Sequence, residues 1–159
     1  MKAFPQRKPN RLAGYDYSQN GAYFITLCVK GRHEILWDPV GARTTRPSLS
    51  EIGLVVETAI KNIPNIYETV FLENYTVMPN HIHMILRIDD QNGRALRAPT
   101  ISTVINQVKG YATKQIRYSI WQKLFHDHII RNENEYHRIA EYIQNNPLNW
   151  EQDCFYTAK

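Results

Sequence analysis

The chain has 159 residues, of which 43% are hydrophobic and 21% charged, with a formal net charge of +4 and a mean hydropathy of -0.49. That composition fits one soluble globular domain with a real core, and no apolar run approaches the roughly 18 residues of a membrane span. The N-terminus carries no hydrophobic segment of signal-peptide type, so a cytoplasmic protein is expected.

A pI near 9.1 points to a polyanionic partner. The two cysteines, Cys28 and Cys154, stand in no ligand spacing and read as free thiols. Residues 1–20 hold Arg7, Lys8 and Arg11 ahead of Tyr15 and Tyr17 and form a basic N-terminal arm, either docked through its tyrosines or mobile. Residues 21–159 are expected to be a single domain. Its first strand, residues 21–30, is apolar on both faces, as a central strand should be. A turn follows at residues 31–34, a short strand at 35–37, and a loop with Pro39, Gly41, Arg43 and Pro47.

Ser48-Leu49-Ser50-Glu51 has a capping-box pattern, which predicts a helix starting with Ser48 as its cap. Ile52, Val55, Val56, Ala59, Ile60 and Ile63 form the buried stripe of that helix, and Pro64 closes it. Residues 68–78 and 81–88 read as two strands of an antiparallel hairpin, broken at Pro79-Asn80. Residues 89–99 form a polar, basic loop. Thr100 then caps a second helix with a stripe of Ile101, Val104, Ile105, Val108, Ala112 and Ile116. A short strand at residues 124–131 and a last helix from about Asn134 to Asn146, stopped by Pro147, complete the chain. The order is strand, helix, strand, strand, helix, strand, helix. It predicts an α+β, ferredoxin-like (RRM-like) antiparallel sheet with helices on one face and an added C-terminal helix.

Strand alternation puts His81 and His83 on one face and Ile82 and Met84 on the other. Two neutral imidazoles so placed can share a divalent metal if a third ligand arrives from elsewhere. Taken alone, the pair reads more readily as half-buried strand histidines. On the last helix, Tyr142 and Asn146 are four residues apart and can reach a common point. A phenol beside a carboxamide, facing two imidazoles, would combine a nucleophile with a three-ligand metal site. Each alone is equally an ordinary boundary tyrosine or helix-end asparagine.

His126-Asp127-His128 is a second His-x-His with a polar centre. It reads as an edge or site-flanking strand, and a rival metal site, a DNA-contacting element and a structural role all stay open. Arg94 and Arg97 in the loop, and Lys109, Lys114 and Arg117 on the second helix, are candidates for neutralising phosphates. Gly110 and Tyr111 beside Lys109 offer a platform for an unpaired base.

His81-Ile82-His83 matches the His-hydrophobic-His motif of HUH nucleases. With Tyr75-Thr76-Val77-Met78-Pro79-Asn80 before it, the segment resembles the single-tyrosine transposases of the IS200/IS605 type, most closely their REP-associated tyrosine transposase relatives. Gly21-Ala22-Tyr23-Phe24-Ile25-Thr26, the stretch 121–131, and Tyr142-Ile143-Gln144-Asn145-Asn146-Pro147 followed by Trp150 also match, and together they span most of the chain.

The resemblance implies metal-dependent cleavage and rejoining of single-stranded, hairpin-bearing DNA. Tyr142 would be the nucleophile and would form a 5′-phosphotyrosine. His81 and His83 would hold Mg2+ or Mn2+, with Asn146 as third ligand, or Gln144 or Asn145 should the helix end unwind. A homodimer and a monomer both occur among the relatives.

Overall fold

A computed structural model of the chain describes residues 14–39, 47–91 and 98–157. The basic residues Arg7, Lys8 and Arg11 of the arm, and the loop arginines Arg94 and Arg97, lie outside the described residues. Where the arm is described it is docked: Tyr15 and Tyr17 pack edge-on with ring centroids 5.1 Å apart, and both lie against the core. Both cysteines are free thiols, Cys28 buried and Cys154 exposed.

Four strands form one antiparallel sheet: β1 (Gly21–Cys28), β2 (Val70–Val77), β3 (His81–Ile88) and β4 (His126–Ile130), in the spatial order β2-β3-β1-β4. Helices α1 (Glu51–Lys61) and α3 (Ile101–Ile116) connect the strands, with a single turn, α2 (Ile63–Ile66), after α1. A final helix, α4 (Glu133–Asn145), runs into a 3-10 segment, Asn146–Gln152. The order and sheet are those of the split β-α-β unit expected from periodicity.

The two faces of β3 are covered by different layers. Ile82, Met84, Leu86 and Ile88 join the apolar stripes of α1 and α3 in the main core, together with Tyr23, Ile25 and Leu27 of β1. His81, His83 and Ile85 project to the other side, where α4 packs against β2 and β3. A central strand with both faces covered loses its water on both, which is why the histidines are as buried as the aliphatics between them.

A bulge in β2 keeps this arrangement in register. Leu72 pairs with Leu86 but Asn74 pairs with Ile85, so one extra residue, Glu73, is absorbed between them. The shift turns Asn74 to the α4 side, where its Nδ2 donates to the Ala140 carbonyl at 3.3 Å and fastens α4 to the sheet edge.

The start of α1 departs from expectation. Leu49 bridges Trp37, which keeps the chain extended past Ser48. The cap is Ser50, whose Oγ accepts from the Gly53 N–H at 3.0 Å and donates to the Ile35 carbonyl at 2.6 Å. A Cβ on Gly53 would overlap the Leu36 carbonyl oxygen, so the helix can approach residue 36 this closely only with glycine there. The pattern S-x-x-E was present, but a tertiary strand contact decided which serine caps.

Candidate active site

The histidine pair forms as strand geometry predicts. His81 and His83 are 0% and 2% exposed, and their Nε2 atoms lie 3.0 Å apart. Each Nδ1 has its own partner: His81 Nδ1 faces Asn80 Oδ1 at 2.9 Å, and His83 Nδ1 faces Thr26 Oγ1 at 2.8 Å, across the β1–β3 register that pairs Thr26 with His83. With both Nδ1 atoms engaged, both Nε2 atoms point at one spot.

The helix α4 brings Tyr142 to that spot from the same chain. Its hydroxyl is 3.3 Å from His83 Nε2 and donates to Asp153 Oδ2 at 3.2 Å. The ring packs edge-on against Phe24 at 6.4 Å, while the residue as a whole stays 43% exposed. The hydroxyl is therefore inside and the approach to it is open.

Asp153 was not among the residues singled out from sequence. It follows the 3-10 segment, accepts from the Phe155 N–H at 2.7 Å through Oδ1, and places Oδ2 3.9 Å from His81 Nε2. The Phe155 ring lies 4.5 Å from the His81 ring and closes the pocket. Arg32, also unforeseen, stands over the outer side of Phe155, its Cζ 5.5 Å from the ring centroid. No periodic signal points to either residue, because both arrive on turns.

Among the described residues, His81, His83 and Asp153 form the one group able to hold a metal ion, with ligand atoms within 4.8 Å of one another. Burial pulls the His81 imidazole down to about 4 against the opposing pull of Asp153, and burial plus the neighbouring His81 pulls His83 down to about 3. Both are neutral at pH 7. Burial raises the Asp153 carboxyl, but the Phe155 N–H and the nearby imidazoles outweigh it and hold it below the usual carboxylate range. Two imidazole nitrogens and an anionic oxygen thus converge in a mostly buried pocket, a donor set that favours a cation. The residues fit a divalent ion. They suit one that tolerates mixed nitrogen and oxygen ligands.

Asn146, the expected third ligand, is brought to the same pocket. It is 3% exposed, and its amide stands beside both the Tyr142 hydroxyl and Asp153, favouring their ionised forms. Its Nδ2 completes no hydrogen bond among the described residues. Gln144 and Asn145 are exposed, and Gln144 lines a separate groove with Pro147 and Leu148. Burial, then the charge of Asp153, pushes the Tyr142 phenol up to about 12.

The remaining sequence candidates fall elsewhere. His128 Nε2 meets Glu135 Oε1 at 2.7 Å, and Glu135 also accepts from the Arg131 N–H at 2.8 Å, so His128 braces the turn into α4. His126 is exposed and pairs in register with Thr26, on the face that carries His83. Lys109 and Lys114 belong to α3 and Arg117 is its C-cap, in the layer on the opposite side of the sheet. Burial lowers the Lys109 amine, which donates to the Gln122 carbonyl at 2.9 Å.

Comparisons with known proteins bear on the family and the fold. The family described as "Transposase IS200 like" matches residues 17–146. A Haemophilus influenzae protein of uncharacterised function is 33% identical over 94% of this chain and 93% of its own length. Another from the same organism, named as a REP-associated tyrosine transposase, is 23% identical over 84% of this chain and 73% of its own.

Among solved structures, a REP-associated tyrosine transposase bound to a REP hairpin superposes with a TM-score of 0.64 at 20% identity, covering 88% of this chain and 74% of that one. A transposase structure from Deinococcus radiodurans superposes with a TM-score of 0.50 at 18% identity, covering 85% and 95%. A family match over most of the chain, on a fold that gathers two strand histidines and a helix tyrosine, leads to one conclusion: this protein belongs to the IS200-like transposase family.

Proposed function

We propose that the protein is a metal-dependent single-stranded DNA endonuclease and strand transferase that cleaves and rejoins hairpin-bearing DNA through a 5′-phosphotyrosine. The observation that carries this reading is the Tyr142 hydroxyl within 3.3 Å of His83 Nε2 and 3.2 Å of Asp153 Oδ2. A nucleophile in contact with the groups suited to hold a cation is what in-line attack on a phosphodiester needs. The membership of the family and the REP hairpin in the structural relative support the choice of DNA.

His81, His83 and Asp153 would hold Mg2+ or Mn2+, with the buried Asn146 beside them able to contribute its own oxygen. The ion would act as a Lewis acid on the non-bridging phosphate oxygens. Tyr142 Oη gives up its proton to solvent and attacks phosphorus. The bond from phosphorus to the 3′-oxygen breaks, and that oxygen takes a proton to leave as a 3′-hydroxyl. The new phosphotyrosine retains the energy of the broken diester, so the reverse attack by a 3′-hydroxyl rejoins the strand without ATP.

Arg32, exposed beside the Phe155 ring, and the exposed His126, on the sheet face that carries His83, would meet flanking phosphates. Lys114 and Lys123 line a separate basic groove of about 410 Å3 in the α3 layer. That groove would serve the duplex stem rather than the reacting strand.

The test is covalent capture with end-labelled hairpin DNA and Mn2+. A 3′-end label should stay on the protein through denaturing electrophoresis, and a 5′-end label should leave on a fragment with a free 3′-hydroxyl. Label retention of the opposite polarity, or cleavage with no adduct, would refute the phosphotyrosine assignment and point to water as nucleophile.

The ligand set has its own test. Asp153→Asn keeps the shape but removes the charge and should weaken Mn2+ uptake, measured calorimetrically, by at least the roughly 10- to 100-fold that loss of a group supporting a ligand costs. Asn146→Ala should weaken it less. The reverse ranking would make Asn146 the third ligand and Asp153 its support.

A further inference from the structure

Asn80 directly precedes the histidine motif and is 1% exposed in the turn between β2 and β3. A buried carboxamide has to find partners for both its ends. This one does so in three directions. Its Oδ1 faces His81 Nδ1 at 2.9 Å, and its Nδ2 donates to the Phe155 carbonyl at 2.9 Å and the Arg32 carbonyl at 3.3 Å. Its own carbonyl accepts from the Val29 N–H at 2.9 Å, which anchors the turn to the end of β1.

The chemistry of the two ends differs. A carboxamide oxygen can only accept, so it fixes the His81 proton on Nδ1 and leaves Nε2 as a bare lone pair turned toward His83 and Asp153. Thr26, the partner of His83, is a hydroxyl and can serve either tautomer. The amide end grips the segments that frame the pocket. Phe155 is two residues beyond Asp153, its N–H binds Asp153 Oδ1 at 2.7 Å, and its ring faces His81. The C-terminal segment approaches from outside the sheet, and Asn80 ties its Phe155 carbonyl to the β2–β3 turn.

We infer that Asn80 is a positioning residue that sets the tautomer of His81 and seats the Asp153 segment, so that one side chain builds two thirds of the cation site. The inference rests on His81, His83 and Asp153 being the cation ligands.

The test compares the full-length protein with Asn80→Ala and Asn80→Asp. Three readouts are needed: Mn2+ affinity by calorimetry, imidazole tautomers from long-range proton–nitrogen spectra without metal, and amide exchange at Phe155. Asn80→Ala should weaken Mn2+ binding about 10- to 100-fold, release the His81 proton from Nδ1, and speed Phe155 exchange. Asn80→Asp can still accept from His81 but cannot donate to Phe155. It should keep the tautomer while Phe155 exchange still rises.

An Asn80→Ala protein with its His81 proton on Nδ1 and affinity within about twofold of wild type would overturn the inference. Should that variant not fold, Asn80→Asp decides: unchanged Phe155 exchange overturns the proposal, and faster exchange with a retained tautomer supports it. Failure of the wild type to take up Mn2+ would instead refute the ligand assignment, while the tautomer and exchange comparisons still decide the role of Asn80.

Discussion

Tyr142→Phe should abolish covalent capture of DNA and lower strand cleavage by at least roughly 10^4-fold, the scale seen when a nucleophile is removed from a constellation that acts as a unit. The fold should be unchanged and cation uptake largely retained. The phenylalanine ring keeps the edge contact with Phe24 and the packing on His83. Mn2+ affinity should change by no more than roughly fivefold, because all three cation-holding side chains remain and Asp153 loses only the hydrogen bond from Tyr142. The phenol is pushed up to about 12, first by burial and then by Asp153, so it is protonated at neutral pH and a weak nucleophile. Adduct formation by the wild type should therefore rise with pH, and a bound cation, by offsetting the Asp153 charge, should move that rise to lower pH. Residual cleavage by Tyr142→Phe near the wild-type rate would assign the attack to water. Lost Mn2+ affinity would make Tyr142 a ligand instead of a nucleophile.

The separation between what the sequence disclosed and what it withheld follows the periodicities. Period two alone places His81 beside His83, and the four-residue helical spacing places Tyr142 and Asn146 in one pocket. Both pairs were legible because a regular element fixes direction as well as position. Asp153, Asn80 and Arg32 sit on turns, where no repeat relates one side chain to the next, and their roles come from tertiary hydrogen bonds such as Asn80 to Phe155. The cap of α1 moved from Ser48 to Ser50 for the same reason, a contact with Trp37 far back in sequence.

The placement of Lys109, Lys114 and Arg117 is a different case, since it could have been reasoned out. Right-handed crossovers put α1 and α3 on the same face of the sheet. Their apolar stripes must cover the face with Ile82 and Met84, so the histidines have to look the other way, toward α4. The basic face of α3 then lies across the sheet from the histidine pocket.

The burial of the two histidines carries the other large consequence, a steep loss of stability in mild acid. In the unfolded chain each imidazole takes a proton near 6.5, whereas in the fold His81 resists until about 4 and His83 until about 3. Between those values the unfolded state binds more protons than the native one, so stability rises with pH and is lost as pH falls from about 6.5. The slope is about 1.4 kcal/mol per pH unit for each histidine. Over the window down to pH 4 the pair removes on the order of 6 kcal/mol, comparable to the whole stability of a domain this size. Asp153, held below the usual carboxylate range, extends the loss further into acid. Denaturant midpoints should therefore fall steeply from pH 6.5 to 5. In His83→Phe, which keeps the ring packing but cannot titrate, the slope should be close to half. Saturating Mn2+ should stabilise the wild type at pH 7.5 and progressively less below pH 6.5, because protons and the cation compete for the same imidazole nitrogens. A flat midpoint between pH 7.5 and 5 would mean that the imidazoles gain protons in the folded state as easily as in water. The closed pocket of His81, His83 and Phe155 would then not exist in solution, and the cation site built on it would fall with it.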